Sequence, residues 1–322
     1  MRVLITGITG FVGSYQAEQL LSLKDKDIEI YGMKRWRSPL ENISEIQSQV
    51  KLVDADLLDY TSTERMLKSI MPDRIIHLAA QSFVPYSFDA PSITLETNIL
   101  GTLNILEGVR NSNLDPLIHV CSSSEVYGQV EDNEIPIRET SPFRPQSPYA
   151  VSKVGEDMLA YQYFKSYGIK TIRTRAFTHS GARRGGVFVD SWFAKQIAEI
   201  EKGKSPPQIH VGNLESIRTF MDVRDTVRAY WLALEKGKPG EVYNVGGKET
   251  YTIREMLDKL IEVSEYKDKF EIFEDPNLLR PSDVTKQIPS IEKFVNATGW
   301  EPTIPYSTTL KEMLDYWRKY NA

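Results

Sequence analysis

The stretch "TGITGFVG", Thr6–Gly13, places glycines at 7, 10 and 13. It follows the apolar run "RVLI" and opens the amphipathic segment "GSYQAEQLLSL". Glycine lets a turn close tightly and lets backbone amides approach a pyrophosphate, which then rests on the amino terminus of the helix that follows. Strand, glycine turn and helix at the head of a chain predict a parallel α/β sheet that binds a dinucleotide.

The rhythm continues outward from that turn. Strand-like runs "DIEIYGM", "KLVDADL", "RIIHLAA", "LIHVCSS" and "KTIRTRA" alternate with helical patterns, the longest over Pro91–Asn111 and Pro148–Tyr167. Strands separated by helices of this length mean right-handed crossovers and a Rossmann-type doubly wound parallel sheet. After Thr178 the alternation breaks at "SGARRGGVF" and "GKSPPQIHVGN". The expected organisation is therefore a Rossmann domain over 1–178, rejoined by 221–246, with a smaller mixed α/β substrate domain mainly over 179–322.

Bulk composition limits the partners. Of 322 residues, 41% are hydrophobic, which suits a folded enzyme rather than a disordered chain. Lys and Arg number 39 against 44 Asp and Glu, a formal charge of −5 that gives no reason to expect nucleic acid or an anionic membrane. No apolar stretch approaches the ~20 residues that span a bilayer. The strand-like start "MRVLITG" leaves no room for a signal peptide, and the single cysteine, Cys121, suits a reducing compartment. A cytoplasmic protein is expected. His77, His119, His179 and His210 lack ligand spacing, so no metal is expected.

Two further segments carry chemistry. In "VCSSSEVYG", Val120–Gly128, three serines and a glutamate stand where a buried strand reaches its carboxyl end. In "SPYAVSK", Ser147 suits a helix N-cap, Pro148 the first helical position, and Tyr149 and Lys153 share one helix face. An ammonium beside a phenol stabilises the phenolate, lowers its pKa and makes Tyr149 a base usable near neutrality. At the tip of the second strand, where an acid would bind a ribose 2′-hydroxyl, the chain has Lys34-Arg35-Trp36-Arg37. Guanidinium groups there suit a 2′-phosphate, so the cofactor expected is NADP.

Together "TGITGFVG", "HLAAQSFV", "SSSEVYG" and "SPYAVSK" resemble the extended short-chain dehydrogenase/reductases that act on nucleotide sugars. Within that group, "ARRGGVFV", "VGNLESIRTFMDVRD" and "LRPSDV" are most similar to the GDP-mannose 4,6-dehydratases, with GDP-4-keto-6-deoxy-mannose reductases sharing several strings. The dehydratase resemblance implies that Tyr149 takes a proton from the sugar C4 hydroxyl and Ser123 steadies that oxygen. Lys153 would hold the phenolate and the nicotinamide ribose. Glu125 would remove the C5 proton made acidic by the C4 ketone and return one to the departing C6 hydroxyl. A reductase, or a 4-epimerase, needs Ser123, Tyr149 and Lys153 but has no task for that glutamate.

The cofactor set expected is Gly7, Thr9, Gly10, Phe11, Val12, Gly13, Lys34, Arg35, Arg37, Asp56, Leu57, Leu78, Ala79, Ala80, Ser82 and Asn98, with Tyr149 and Lys153. The substrate set is Ser82, Ser87, Ser123, Glu125, Thr178, Arg184, Val187, Arg218, Arg280 and Asp283, the last as an acceptor for a guanine edge. The partner implied is a GDP-sugar, and the resemblance implies a homodimer or homotetramer. The chain departs from the dehydratase pattern at Ser123, where threonine is usual, and at Thr178-His179-Ser180, where that family carries Asn-His-Glu; Arg183-Arg184-Gly185 follows it.

Overall fold

A computed structural model of the chain describes residues 1–23, 27–266, 269–279 and 281–320. The first half builds β1 (Arg2–Thr6), α1 (Phe11–Ser22), β2 (Glu29–Lys34), β3 (Lys51–Asp54), α2 (Tyr60–Ile70) and β4 (Arg74–His77). It continues through α3 (Val84–Asp89), α4 (Pro91–Leu95), α5 (Gly101–Asn111), β5 (Leu117–Ser123), α6 (Pro148–Tyr167) and β6 (Thr171–Ala176). Then come β7 (His179–Ser180), α7 (Val189–Glu201), β8 (Gln208–Val211), β9 (Ile217–Asp222), α8 (Val223–Lys236), β10 (Val242–Val245), β11 (Glu249–Thr252), α9 (Ile253–Glu262), β12 (Glu271–Glu274), β13 (Lys286–Gln287), α10 (Glu292–Thr298) and α11 (Tyr306–Tyr320).

Seven strands form one parallel sheet in the order β3-β2-β1-β4-β5-β6-β10. β1 is an inner strand, and Val3, Leu4 and Ile5 are wholly buried, as a strand covered on both faces requires. Alternation divides them. Val3 and Ile5 pack with Ala17 and Leu20 of α1 and with Trp231 and Leu234 of α8, while Leu4 packs with Met66, Leu106 and Ala160 of α2, α5 and α6. Strand order reverses between β1 and β4, which opens a crevice beyond their carboxyl ends.

The second lobe joins β7, β9, β11 and β13 in one small sheet and β8 with β12 in another. Its core is built by α7, α9 and α11 through Phe193, Ile197, Met256, Leu260, Leu310 and Met313. The two lobes interleave. β9 ends at Asp222, whose carboxylate accepts from Arg224 N and caps α8, returning the chain to the first sheet. Late in the chain, Phe294 and Trp300 pack with Tyr243, Val245 and Ala229 against that sheet's outer edge. No helix of the described residues is long and apolar enough to cross a membrane.

The predicted helix over Pro91–Asn111 contains a π turn, Glu96–Leu100, between α4 and α5. Such a turn re-aims one side chain without ending the helix. Here that residue is buried Asn98, which accepts from Gln81 N at 2.7 Å and donates to Gln81 O at 2.9 Å and Ser152 Oγ at 2.8 Å.

α6 is set on the sheet by charge as well as by packing. Ser147 caps it, accepting from Ala150 N at 3.0 Å, and Gly168, at φ 71°, ends it in the left-handed region. Midway, fully buried Asp157 receives Arg173 Nη1 at 2.8 Å and Arg175 Nε at 2.9 Å from β6. Arg175 also donates to Tyr127 Oη at 2.9 Å, and Tyr127 donates to Asn244 Oδ1 on β10 at 2.7 Å. Removing one member of a buried charge cluster leaves the others uncompensated and costs about 3–5 kcal/mol. Asp157→Ala should lose about that much in urea denaturation, whereas Asp115→Ala, which breaks the surface pair with Lys170, should change stability little.

Candidate active site

The glycine turn lies at the crevice. Gly7 has φ +71°, and a Cβ on it would stand 3.0 Å from the Ala79 Cα at the end of β4. A Cβ on Gly13 would meet Gly7 O at 2.2 Å, so the turn and the first turn of α1 tolerate no side chain there. Thr6 Oγ1 accepts from Leu78 N at 3.0 Å and Ala79 N at 3.1 Å, locking the two strand ends together. Gly10 at the N-cap of α1 offers no side-chain cap, and the first turn, which includes Phe11 and Val12, holds no acid. Uncapped amides on a helix dipole fit an anionic pyrophosphate. Thr9 O accepts from Asn42 at 3.0 Å, which fixes the loop's outer edge.

At the tip of β2 the basic residues divide. Lys34 Nζ pairs with Asp54 at 2.5 Å and is mostly buried, whereas Arg35, Trp36 and Arg37 are exposed, Arg37 lying 4.8 Å from the Trp36 ring centroid. Arg35 and Arg37 remain the cations open to a phosphate. Asp56 accepts from Leu58 N, and buried Leu57 packs where a Cβ on Gly101 would touch it at 3.1 Å. Ala80 is partly buried and Ser82 exposed on the loop after β4; Asn98 spends its amide on Gln81 and Ser152 and braces that loop.

β5 delivers Ser123 to the crevice, and a tight turn over Ser124–Tyr127 follows. Ser123 Oγ accepts from Glu125 N at 3.1 Å and hydrogen-bonds the Tyr149 phenol. The turn closes at Gly128, where φ is +57° and a Cβ would lie 1.7 Å from Arg144 O. Glu125 Oε1 accepts from Gln287 Nε2 at 3.0 Å, and Gln287 Oε1 accepts from Ser124 Oγ at 3.1 Å. Gln287 is 2% exposed and stands on β13, so a residue of the second lobe holds the carboxylate of the first.

The phenol departs from expectation. Burial pushes Tyr149 up to about 12, although Lys153 and the Ser123 hydrogen bond both pull it down. Lys153 acts in the direction anticipated, but desolvation outweighs it. Part of the reason lies one turn on, where Lys153 Nζ donates to Glu156 Oε2 at 2.7 Å. Burial pushes Glu156 up to about 7 against the attraction of Lys153; Lys153, opposed by burial, is held above its ordinary range by Glu156 and Tyr149.

On the far side of the crevice the predicted residues differ in availability. Ser87 is fully buried with its hydroxyl on Val84 O at 2.6 Å, a bond within its own helix, and the fold does not bring it to the crevice surface. Thr178 is partly buried and Val187 is 57% exposed. Arg184 stacks 4.7 Å over Phe188 and lies 3.3 Å from buried Asp190, while Arg183 clamps Glu18 at 2.6 Å and Asn42 O at 2.8 Å. Arg218 donates to Val284 O at 2.6 Å and stands 3.5 Å from Asp283. Asp283 accepts from Asn213 at 2.9 Å and Ser216 at 3.0 Å, so its carboxylate orients neighbouring groups. Arg280 lies outside the described residues.

Glu156 and Gln287 were not singled out by motif. The i+3 spacing from Lys153 could have revealed Glu156, whereas a glutamine on a two-residue strand carries no local signal.

Comparison with known proteins follows the same lines. A family model described as GDP-mannose 4,6 dehydratase matches residues 4–313. GDP-6-deoxy-D-mannose reductase of Pseudomonas aeruginosa is 31% identical over 316 residues, 98% of this chain and 97% of that protein. GDP-mannose 4,6-dehydratase of Yersinia enterocolitica is 33% identical, over 97% and 92% of the two chains. Among solved structures, RMD from P. aeruginosa complexed with NADPH superposes with a TM-score of 0.84 at 31% identity, covering 99% and 98%. UDP-glucose 4-epimerase of Thermotoga maritima with UDP-glucose gives 0.89 at 28% identity over the whole of both chains.

Two histidines lie beneath the site. His77 sits between Thr6 and Thr102, and His119 bonds Thr174 under the Tyr230 ring; burial above all lowers each to about 3, helped by Lys153 at His77 and by His77 and then Lys153 at His119. A histidine held neutral in the fold but free to protonate when unfolded contributes stability above its unfolded pKa, lost as pH falls toward the folded one. Chemical denaturation should therefore show stability falling from about pH 6.5 downward, by roughly 1.4 kcal/mol per unit for each of the two. Flat stability between about pH 6.5 and 5 would contradict their neutral burial.

Proposed function

The chain belongs to the GDP-mannose 4,6-dehydratase family, and from that premise we propose that it catalyses the NADP-dependent 4,6-dehydration of a GDP-hexose, GDP-mannose to GDP-4-keto-6-deoxy-mannose. The observation that carries this reading is Glu125: a carboxylate two residues past Ser123, tethered by Gln287 and beside the Tyr149 phenol's partner. When bound, NADP would supply the hydride chemistry between C4 and C6, with solvent furnishing the proton that C5 regains. The glycine turn and the head of α1 would hold its pyrophosphate, and Arg35 and Arg37 its 2′-phosphate.

The chain's own residues do the proton work. Tyr149 takes the proton of the C4 hydroxyl while Ser123 donates to that oxygen and steadies the forming ketone. The ketone acidifies C5–H, and Glu125 removes that proton and delivers it to the leaving C6 hydroxyl. Arg218 and Arg280 would meet the diphosphate. Thr178, Arg184 and Val187 would bound the sugar, with Ser82 at the strand-end crevice.

The second reading, an NADPH-dependent reductase of GDP-4-keto-6-deoxy-mannose, is favoured by the full-length similarity to the P. aeruginosa reductase; a 4-epimerase is a weaker third. Both leave Glu125 without a task. We infer a cytoplasmic enzyme from the lone Cys121, held against Tyr230 at 3.2 Å. Pairing into a homodimer, or a homotetramer, is supported by Ile93, Leu100, Val151, Met158 and Tyr161, large apolar side chains exposed on α4, the π turn and α6.

Incubation with GDP-mannose and catalytic NADP⁺ in deuterated water should yield a 4-keto-6-deoxy product carrying deuterium at C5, with no net NADPH change. Glu125→Gln should lose this turnover by about 10²-fold or more while keeping hydride transfer from C4. NADPH oxidation with a 4-keto sugar, alongside untouched GDP-mannose, would establish the reductase instead. For assembly, light scattering should give a dimer or tetramer for the wild type and a monomer for Leu100→Glu/Val151→Glu.

A further inference from the structure

Glu156 is the buried acid that the dehydration chemistry leaves unused. It is 2% exposed, its Oε2 accepts from Lys153 Nζ at 2.7 Å, and its Oε1 is buried with no hydrogen-bond partner. A carboxylate that stays ionised in a dry interior needs its lone pairs answered. One with a single donor and an orphaned oxygen is suited to receiving a proton. Its placement also bears on Tyr149: burial is what chiefly keeps that phenol protonated, and the negative charge behind Lys153 adds to it by offsetting the ammonium.

We propose that Glu156 is a positioning residue that takes up the proton Tyr149 must give up before it can act as base, with Lys153 as the bridge. Lys153 Nζ passes one N–H proton to the Glu156 carboxylate and receives the phenolic proton of Tyr149. The Tyr149 O–H bond breaks, an O–H bond forms on Glu156, and lysine ends as it began, an ammonium. The three groups sum to zero charge before and after, so no isolated charge is created in a low-dielectric interior. The elevated carboxyl, near 7, suits this exchange. The proposal rests on the reading of Tyr149 as the base of the proposed dehydration.

Other charges around α6 are arranged so that this pair can move alone. Asp157 on the same helix is held by Arg173 and Arg175 of β6. Glu107 of α5 is bound to Arg110 and Tyr163. From β5, Cys121 and neutral His119 face the region, with neutral His77 on β4; burial raises the thiol, so neither strand brings a fixed charge. In the turn after β5, Tyr127 is kept a phenol, pushed up to about 12 by burial, and Glu125 is tethered to Gln287.

The test uses the full chain with NADP⁺ bound and carbon-13-labelled glutamate. Infrared spectra taken across neutrality should contain a protonated-carboxyl C=O band that shifts with the label, titrates with pH and is absent from Glu156→Gln. If no glutamate carboxyl protonates in that range, the proposal is overturned, whether or not the variant folds. The rate of C4 oxidation of GDP-mannose supplies the second readout. Above neutrality, where Glu156 is ionised and free to take the proton, wild type should be nearly pH-independent, because the proton stays inside. Glu156→Gln should gain an acid limb of about tenfold per pH unit, since the phenolic proton must then leave to solvent, and Glu156→Asp should restore the flat profile. A merely structural role would lower the rate uniformly, and an unchanged flat profile in Glu156→Gln would overturn the proposal. If wild type leaves GDP-mannose untouched, the proposed function fails while the infrared titration still decides the role of Glu156.

Discussion

Asp157 is the constraint on which the rest of the site depends. An aspartate with no exposed surface would be intolerable alone, and so would the two arginines that meet it from β6. Together they fix the roll of α6 against the sheet, and with it the direction in which Tyr149 and Lys153 leave the helix. Arg175 carries the same lattice of bonds to Tyr127, in the turn that bears Glu125, and through Tyr127 to Asn244 on β10. Helix α6, the turn after β5 and the edge of the sheet thus share one set of buried hydrogen bonds.

The fold was readable because its signals are local. Glycines 7, 10 and 13 after an apolar strand, and strands alternating with amphipathic helices, follow from backbone sterics and periodicity over a few residues. Ser123, Tyr149 and Lys153 were readable for the same reason: a strand end and a capped helix start announce themselves. What escaped depends on distance in sequence. Gln287 reaches Glu125 across 162 positions, and nothing around "TKQIP" foretells it. Ser87 looked like a crevice residue until its own helix claimed the hydroxyl. The phenol of Tyr149 illustrates a different gap. The sequence puts a lysine beside it, but only the packed interior reveals how strongly burial opposes that lysine.

The division of labour between the lobes follows from the same geometry. The first lobe carries Ser123, Glu125, Tyr149 and Lys153, and the second carries Arg218 and the short β13. Beside Glu125 the two are linked by the Gln287 amide. Its orientation is set because Ser124 donates to its oxygen, which leaves its nitrogen to face Glu125. The carboxylate is thereby aimed by a neutral donor rather than by a cation. A cation there would hold the group as a tight ion pair and make it a poorer base.

The interleaving of the lobes also bears on how the chain is made. β10 completes the sheet and α8 covers one face of it, yet both follow the excursion through β7, β8 and β9. Phe294 and Trp300, which seal the outer edge, come later still. A ribosome releasing this chain from its amino end would present β6 as an open edge, and β1 with a face that α1 covers but α8 does not yet, until most of the protein had emerged. The late arrival of the closing elements is an aggregation hazard written into the strand order itself.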